Sequence, residues 1–472
     1  MITYDLDQRG SEPKYEYLYH CIRKDIRLGM LAAGTRLPSK RALASHLSVS
    51  IGTVERAYDL LVSEGYAQAK RGSGYYVSPH RADGVYSDGS SSNLPEDEGW
   101  QVPLIDFKAN RCSLELFPSK TWMRIMRRTL SEHNKALFET VPFNGLAELR
   151  EAIAAYLYEF KGIHVSPDQI VVGAGTEYLY GRLMQLFGHR TTIAIGDPGY
   201  KKLSEISRSS GTLWDYIPVD EEGLEVDALA SSPAQIVHVS PANHFPIGIV
   251  MSANRRKKLL DWVHQKPERY LVEDDYDSEL RFNGRQQPPL FTQDTEQKVI
   301  YLNTFSKTMV PSLRISYVVL PKNLMGLYRS QMSFYSCTVS SFEQIALAEF
   351  ISGGYFERHI NRLRRYYGKQ RIALVDAFNA SHLPLIAQYR TVDVGTHLLV
   401  NVFTQLSDQE IVQAAGNRGM HLSMLSDYCA RPTARSAHKI VINFASIQPD
   451  QMKTAIELLE GVFSEDIARA LA

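Results

Sequence analysis

Two short apolar segments in the middle of the chain are each followed by side chains that could do chemistry. Residues 270–272 and 299–302 have the length and composition of buried strands. In an open α/β sheet, ligands bind outside the carboxyl ends of the strands, so side chains that follow two such strands converge on one crevice. Here these side chains are an acid, a phenol, a lysine and an arginine: Asp274, Tyr276, Lys307 and Arg314.

This set matches what pyridoxal phosphate requires of a protein. A lysine amine forms a Schiff base with the aldehyde of the cofactor. A carboxylate keeps the pyridine nitrogen protonated, which makes the ring an electron sink. An arginine binds the phosphate through its forked donors. The sequence therefore predicts a pyridoxal phosphate site in which Lys307 is the catalytic Schiff-base lysine, Asp274 the ring acid and Arg314 the phosphate ligand.

The motifs in this region resemble a known family. Asp274-x-Tyr276, followed by Ser306-Lys307 and Arg314, resembles the cofactor site of fold-type I aminotransferases. The fuller segments Glu-Asp-Asp-Tyr-Asp-Ser-Glu (273–279) and Thr-Phe-Ser-Lys (304–307) are most similar to the MocR subgroup of GntR-type transcription regulators. The resemblance covers residues 12 to about 463. Solvated loops would explain either motif alone, whereas both motifs in this order favour the cofactor site.

The resemblance implies further contacts to the cofactor. Small residues at 173–176 follow a predicted strand and are expected to cradle the phosphate at a helix N-terminus. Tyr200 is expected to stack on the ring, and Asn243 stands in a loop that binds the 3-oxygen, although this loop departs from the family's His-Gln pattern. No metal-binding spacing is present. The expected cofactor contacts are Gly175, Thr176, Tyr200, Asn243, Asp274, Tyr276, Thr304, Ser306, Lys307 and Arg314.

Two other departures from the family concern the ligand that the domain would recognise. Lys202 stands where relatives that sense amino acids carry an arginine. Val441 stands where aminotransferases of this fold carry the arginine that binds the substrate carboxylate, while Arg431 and Arg435 lie upstream. A bidentate Arg–carboxylate pair is among the stronger polar contacts. Tight binding of an ordinary α-amino acid is therefore not expected.

The N-terminal region has a different pattern. Apolar residues recur at helical spacing over 15–30, and two shorter helices are predicted over 37–47 and 51–63. A hairpin with a glycine-rich tip is predicted over 66–77. This succession predicts a winged helix-turn-helix, and Leu-Pro-Ser-Lys-Arg (37–41) and Arg-Gly-Ser-Gly (71–74) resemble the GntR-type DNA-binding domain. Residues 12–79 carry ten Lys/Arg and six Asp/Glu, a net charge of +4 in a chain whose total charge is zero. A solvated basic helical bundle is the alternative.

The partner predicted for this domain is an operator in double-stranded DNA. Most phosphate contacts are expected at the start of the second helix and in the wing. The polar residues on the first half of the third helix are expected to face the bases, with Arg56 suited to a guanine. The predicted DNA-binding residues are Ser39, Lys40, Arg41, Ser50, Thr53, Arg56, Lys70, Arg71 and Gly72.

The pattern along the chain predicts three parts. These are a winged helix-turn-helix over 12–79, a flexible linker rich in Ser, Gly, Pro and acids over 80–103, and an effector and dimerisation domain over 104–472. Strands and helices alternate in the last part, which predicts an α/β fold with a mainly parallel sheet. The four scattered cysteines and the absence of a long apolar run favour a cytoplasmic location without membrane contact.

Three functions are compatible with these patterns. The first is a homodimeric, pyridoxal-phosphate-dependent bacterial transcription regulator that senses the cofactor or an amine or amino-acid effector. The second is an active aminotransferase with a fused DNA-binding domain. The third is a DNA-binding protein whose large domain is only a scaffold. The intact site at Lys307 argues against the third, and the valine at position 441 argues against the second. The regulator is the preferred interpretation, with residual aminotransferase chemistry left open.

Overall fold

The computed structural model describes residues 2–10, 12–70, 72–78, 103–108, 114–132, 137–284, 287–390 and 393–472. The chain divides into two compact units, Met1–Gln101 and Val102–Ala472. Arg71 and nearly all of the predicted linker lie outside the described residues.

The first unit is a small helical domain with a β-hairpin. Its core is formed by the apolar faces of the first and third helices, including Leu18, Ile22, Val54 and Leu61. The third helix begins after Ser50, whose Oγ accepts a hydrogen bond from the backbone N–H of Thr53 at 3.1 Å. These elements form the predicted winged helix-turn-helix. They are α1 (Lys14–Arg27), α2 (Lys40–His46), α3 (Ile51–Ser63), β1 (Ala67–Lys70) and β2 (Gly74–Val77).

The second unit alternates strands with helices. Its strands are β3 (Ile105–Asp106), β4 (Ile170–Gly173), β5 (Thr192–Asp197), β6 (Leu213–Asp220), β7 (Gly223–Leu224), β8 (Ile236–Val239), β9 (Tyr270–Asp274), β10 (Val299–Thr304), β11 (Ser316–Val319), β12 (Ala387–Arg390), β13 (His397–Val402), β14 (Met420–His421), β15 (Ser423–Met424) and β16 (Lys439–Asn443). Its helices are α4 (Ser119–Glu132), α5 (Ala147–Lys161), α6 (Thr176–Phe187), α7 (Lys202–Ser209), α8 (Val226–Ala230), α9 (Ala253–His264), α10 (Leu290–Gln293), α11 (Lys322–Met332), α12 (Ser341–Ser352), α13 (Tyr355–Ala380), α14 (Asp408–Gly416), α15 (Met452–Val462) and α16 (Ser464–Leu471).

An eight-stranded sheet in the order β4-β11-β10-β9-β8-β5-β6-β7 forms the centre of this unit. Strands β10, β9, β8, β5 and β6 are parallel to one another. Strand β11 runs antiparallel to both of its neighbours, and this reversal was not predicted. The mainly parallel α/β fold is confirmed. In the β9–β10 register Asp274 lies opposite Leu302, so the carboxyl ends of these strands are adjacent.

Helices cover both faces of the sheet. On one face Val172 and Tyr301 pack with residues of α5 and α12, such as Ile153 and Leu347. On the other face the alternate strand residues, including Ile300, pack with α6 and α11. A smaller antiparallel sheet, β12-β13-β16-β15, follows near the C-terminus. In the part of the chain that the structure describes, no helix combines the length and apolar character needed to cross a bilayer.

Candidate functional site

A cavity of about 240 Å³ lies at the carboxyl ends of β9 and β10. Nine of the ten predicted cofactor contacts line it: Gly175, Thr176, Tyr200, Asp274, Tyr276, Thr304, Ser306, Lys307 and Arg314. Sequence reasoning missed several further wall residues, among them Glu177, His238 and Phe245.

Asp274 is the last residue of β9 and is placed to hold a cation in the cavity. One carboxylate oxygen, Oδ2, lies 3.4 Å from Nε2 of His238. The other, Oδ1, is buried, and no described residue donates a hydrogen bond to it. A buried acceptor without a donor is costly. This oxygen therefore suits a ligand that brings its own N–H, as a protonated pyridine does.

His238 supports this carboxylate from the neighbouring strand. It lies on β8, which pairs with β9, and its ring meets the Tyr180 ring edge-on with centroids 5.5 Å apart. The sequence contains a signal for this contact, because His238 lies near the carboxyl end of a predicted strand, as Asp274 does. Its position fixes one oxygen of Asp274 and leaves the other for a ligand.

Lys307 and Tyr276 form the part of the wall beside this acid. The Lys307 ammonium lies 5.8 Å from the centroid of the Tyr276 ring. The Tyr276 hydroxyl donates to the backbone oxygen of Asn243 at 3.0 Å. Burial, together with the nearby carboxylates, raises the pKa of Tyr276 well above its usual value. The phenol therefore stays protonated at neutral pH, and in this structure its proton is donated to Asn243.

The arginine predicted to bind a phosphate also lines the cavity. Arg314 has a left-handed backbone with φ of 51°. Gly175 has φ of 94°, and a Cβ added there would lie 2.7 Å from Nη2 of Arg314. Position 175 must therefore be glycine for the guanidinium to occupy this place. Thr176 begins α6 directly beside it, which adds the positive end of a helix dipole.

Glu177 forms an ion pair with this arginine. Its Oε2 lies 3.3 Å from Nη2 of Arg314, and its Oε1 accepts a hydrogen bond from Lys202. The hydrogen bond from Lys202, with the charge of Arg314, lowers the pKa of the Glu177 carboxyl. Lys202, which replaces the family's arginine, is therefore committed to Glu177 in this structure.

Asn243 is the predicted contact that does not line the cavity. Its Nδ2 donates to Oδ2 of Asp277 at 2.7 Å, and both side chains are buried. Glycine at 395 makes this possible, because a Cβ there would lie 2.3 Å from Nδ2. The Asn243 side chain thus positions Asp277, while its backbone oxygen anchors Tyr276.

A buried ionic cluster lies next to the site. The Lys161 ammonium lies 3.0 Å from both Asp275 and Glu279. Tyr301 donates to Asp275 at 2.6 Å, and Asn303 donates to Glu279 at 3.1 Å. Although burial disfavours its charge, these two carboxylates raise the pKa of Lys161. Asp274 and Asp275 are consecutive in the sequence, but Asp274 lines the cavity whereas Asp275 belongs to the buried ionic cluster.

The arginine that would bind a substrate carboxylate has no replacement in this cavity. Val441 is buried in β16. Arg431 and Arg435 line a separate and larger cavity of about 1320 Å³. Among the described wall residues of the smaller cavity, the cationic side chains are Lys307 and Arg314.

The predicted DNA-binding residues of the first unit lie on the starts of α2 and α3 and on the hairpin. Ser39 caps α2, since its Oγ accepts from the backbone N–H of Ala42 at 3.2 Å. Ser50 caps α3, and its Oγ lies 2.8 Å from Oγ1 of Thr53. Arg41 is exposed in the first turn of α2.

Other predicted DNA contacts are held by neighbours within the first unit. Lys40 pairs with Glu55, and the Arg56 guanidinium lies 5.8 Å from the Tyr15 ring centroid. Lys70 lies 4.8 Å from the Tyr76 ring centroid. Gly72 has φ of 76°, which lets the hairpin tip turn.

Arg36 is an exposed cation beside the hairpin that sequence reasoning missed. A Cβ at Gly74 would lie 3.5 Å from its Nε, and position 36 bridges to Tyr76 of β2. It adds a positive charge next to Lys70.

Comparison with known proteins finds relatives for both units. Residues 14–77 match the bacterial regulatory proteins of the gntR family, and residues 102–459 match aminotransferase class I and II. YdeL, an HTH-type transcriptional regulator of Bacillus subtilis, is 34% identical over 469 residues, covering 98% of this chain and 99% of YdeL. The probable rhizopine catabolism regulatory protein MocR of Rhizobium meliloti is 31% identical, covering 97% of this chain and 95% of its own. An archaeal alanine:glyoxylate aminotransferase has the same fold, with a TM-score of 0.70 and 23% identity, covering 77% of this chain and 92% of that chain.

Proposed function

The chain belongs to the MocR-like group of GntR-family HTH-type transcription regulators, and on that premise we propose that its large unit binds pyridoxal phosphate through Lys307 and senses the cofactor or an amine effector. In this proposal residues 12–79 bind operator DNA, 80–103 link the units, and 104–472 form the effector and dimerisation domain of a cytoplasmic homodimer.

The observation that carries the proposal is the buried Oδ1 of Asp274, for which the described residues offer no donor. Asp274 lies in the wall of a cavity that Lys307 and Arg314 also line. Pyridoxal phosphate, when bound, supplies a reactive aldehyde and an electron-withdrawing ring. Asp274 would accept a hydrogen bond from the ring nitrogen, and Arg314 with the N-terminus of α6 would hold the phosphate.

Other wall residues would orient the ring. Tyr200 is partly exposed at the cavity edge, where its ring could stack on the cofactor. Tyr276 keeps its phenolic proton and would turn it from the backbone oxygen of Asn243 to the 3-oxygen of the cofactor. Burial lowers the pKa of His244 to about 4, so this wall histidine stays neutral at physiological pH and adds no competing charge.

The charged side chains of the cavity wall favour an amine effector that carries no carboxylate. Lys307 and Arg314, the described cations of the wall, are both assigned to the cofactor. An incoming amine would compete with Lys307 for the cofactor's aldehyde. An effector carboxylate would find no arginine among the described wall residues, which agrees with the valine at position 441.

The test is an absorbance titration of the purified chain with pyridoxal phosphate. Wild-type protein should give a new near-ultraviolet or visible band, and Lys307→Ala should not. Borohydride reduction followed by peptide mapping should place the cofactor on Lys307. Attachment at another lysine would overturn the assignment.

Coupling to DNA is tested by footprinting at one fixed salt concentration. A ligand shifts a protein between two states only if it binds one of them better. The footprint or the affinity for the operator should therefore differ with and without pyridoxal phosphate. Identical footprints, affinities and transcription would leave the large unit as a scaffold.

The second candidate function is an active aminotransferase, which the intact Lys307 site favours. We expect little or no transamination of common amino acids, because no arginine of the described wall is left for the carboxylate. Turnover of roughly 1 per second or more on a common amino acid would make the enzyme the better interpretation.

A further inference from the structure

Helix α3 of the first unit has one buried face and one exposed face. The buried face, which includes Val54 and Leu61, packs into the core of the unit. In a winged helix-turn-helix the exposed face of this helix is the one presented to the major groove. Between positions 51 and 59 its exposed residues lie within an arc of about 140°; they are Ile51, Gly52, Glu55, Arg56 and Asp59.

Ile51 is the first residue of this helix, and the fold makes little use of its side chain. It is 48% exposed. It does not belong to the hydrophobic cluster of the first unit, although its neighbours Leu47 and Val49 pack against that cluster. Single exposed apolar residues are common on protein surfaces. The position of Ile51 at the start of the recognition helix therefore carries the argument, rather than its exposure.

The surface beside Ile51 is open to a partner. A Cβ added at Gly52 would have one described neighbour within 4 Å, the Oγ of Ser50 at 3.9 Å. A base edge can therefore approach the first turn of the helix closely.

The polar side chains around Ile51 already have partners within the unit. The hydroxyls of Ser50 and Thr53 lie 2.8 Å apart and bond to each other, and the Glu55 carboxylate pairs with Lys40. Among the described residues of the first turn, Ile51 is thus the side chain whose contact surface is still unused.

The chemistry of an isoleucine selects one base in the major groove. Thymine presents a 5-methyl group there, and apolar side chains contact it. Guanine, adenine and cytosine are recognised through acceptors and donors that an isoleucine cannot match. Residues at the N-terminal end of a recognition helix are the ones that reach base edges.

We propose that Ile51 is a specificity-determining residue that reads the 5-methyl group of a thymine in the operator. The inference rests on the DNA-binding function proposed above for residues 12–79, and it goes further because it names the base and the atom that are read. The operator then contains a thymine whose methyl group is required in addition to its base pairing.

The experiment removes this methyl group without changing the base pair. An operator is selected from random duplexes with the full wild-type chain, and each thymine is replaced in turn by deoxyuridine. At the contacted thymine, wild-type binding should weaken about fourfold, which corresponds to ~0.8 kcal/mol for one buried apolar carbon. All affinities are measured at one salt concentration, because DNA binding depends strongly on salt.

Three variants assign the effect to the side chain. Ile51→Ala should bind the thymine and deoxyuridine operators equally; alanine favours the helix, and the replaced side chain lies outside the core cluster, so folding should be preserved. Ile51→Val keeps a branched apolar side chain and should retain part of the preference. Leu28→Ala removes another exposed apolar side chain, at the end of α1, and should retain the whole preference.

Two results would overturn the inference while leaving the DNA-binding function intact. One is a wild-type chain that tolerates deoxyuridine at every thymine of its operator, or selects an operator without thymine. The other is a preference for thymine that persists unchanged in Ile51→Ala, since another group would then read the methyl. A wild-type chain that selects no operator at all would overturn the DNA-binding function together with this inference.

Discussion

Nε2 of His238 lies 3.4 Å from Oδ2 of Asp274, so one oxygen of this carboxylate is occupied by the protein itself. The other oxygen is buried without a donor from the described residues. The acid is thus oriented before any ligand arrives, which reduces the cost of ordering it on binding.

Replacing Asp274 should weaken pyridoxal phosphate binding strongly. In Asp274→Ala the protonated ring nitrogen would be buried without its counter-charge, at a cost of about 3–5 kcal/mol. The absorbance titration should show a lower affinity and an altered band. The adjacent Asp275→Ala serves as the control, since its partner is Lys161 and its loss should reduce the free energy of unfolding. Unchanged affinity and spectrum in Asp274→Ala would assign the ring acid elsewhere.

Gly175→Ala should disturb the phosphate end of the cavity. The new Cβ would lie 2.7 Å from Nη2 of Arg314, and φ of 94° is strained for alanine. Displacing a charged hydrogen bond should cost about 1.5–3 kcal/mol, roughly a 10- to 100-fold loss of affinity for pyridoxal phosphate. Gly181→Ala, inside the helix that follows Gly175, is the control, because among the described residues nothing beyond its own helix backbone lies within 4 Å of the added Cβ. Equal affinities of the two variants would contradict this account of the cradle.

Asp277 should make the stability of the cofactor-free chain depend on pH. Burial raises its pKa to about 7, against the opposing effects of Lys307 and Asn243. The folded chain therefore keeps a proton that the unfolded chain loses near pH 4. Since the folded state binds more protons in this interval, the free energy of unfolding should fall as pH rises from about 4 to 7, by up to about 1.4 kcal/mol per pH unit.

Urea denaturation at several pH values measures this effect. Asp277→Asn should flatten the dependence, while Asp227→Asn, at an exposed acid of α8, should not. Burial also raises the pKa of Glu273 to about 7, so part of the slope should persist in Asp277→Asn. A slope identical to that of the wild type would contradict the assignment.

Arg41 and Arg56 should contribute differently to operator binding. Arg41→Ala removes an exposed charge of α2 and should weaken binding to all sequences, with a salt slope lower by about 0.9. Arg56→Ala should relax specificity at one base position by about 1–3 kcal/mol. Arg27→Ala, an exposed charge at the end of α1, is the control. If Arg56→Ala instead weakens all sequences equally, Arg56 contacts phosphate rather than a base.

The sequence predicts the convergence of Asp274, Lys307 and Arg314 because two apolar segments followed by polar residues indicate adjacent parallel strands. It does not predict β11, since a short apolar run carries no signal for its direction in a sheet. The sequence also does not predict the direction in which the Asn243 side chain points. It depends on the close approach of Gly395, which lies far away along the chain. Local pattern therefore locates the cavity, whereas the partners of each polar group depend on packing between distant segments.

The split between Asp274 and Asp275 has a consequence for how this chain could change over evolutionary time. If the proposed function is correct, Asp274 is needed only while a cationic ring occupies the cavity, whereas Asp275 is paired with Lys161 in the protein itself. A descendant that abandoned the cofactor would be free to vary the first acid but would have to retain the second. The two neighbouring aspartates would then accumulate substitutions at different rates. Substitution of Asp274 with retention of Asp275 would indicate a descendant that no longer senses the cofactor.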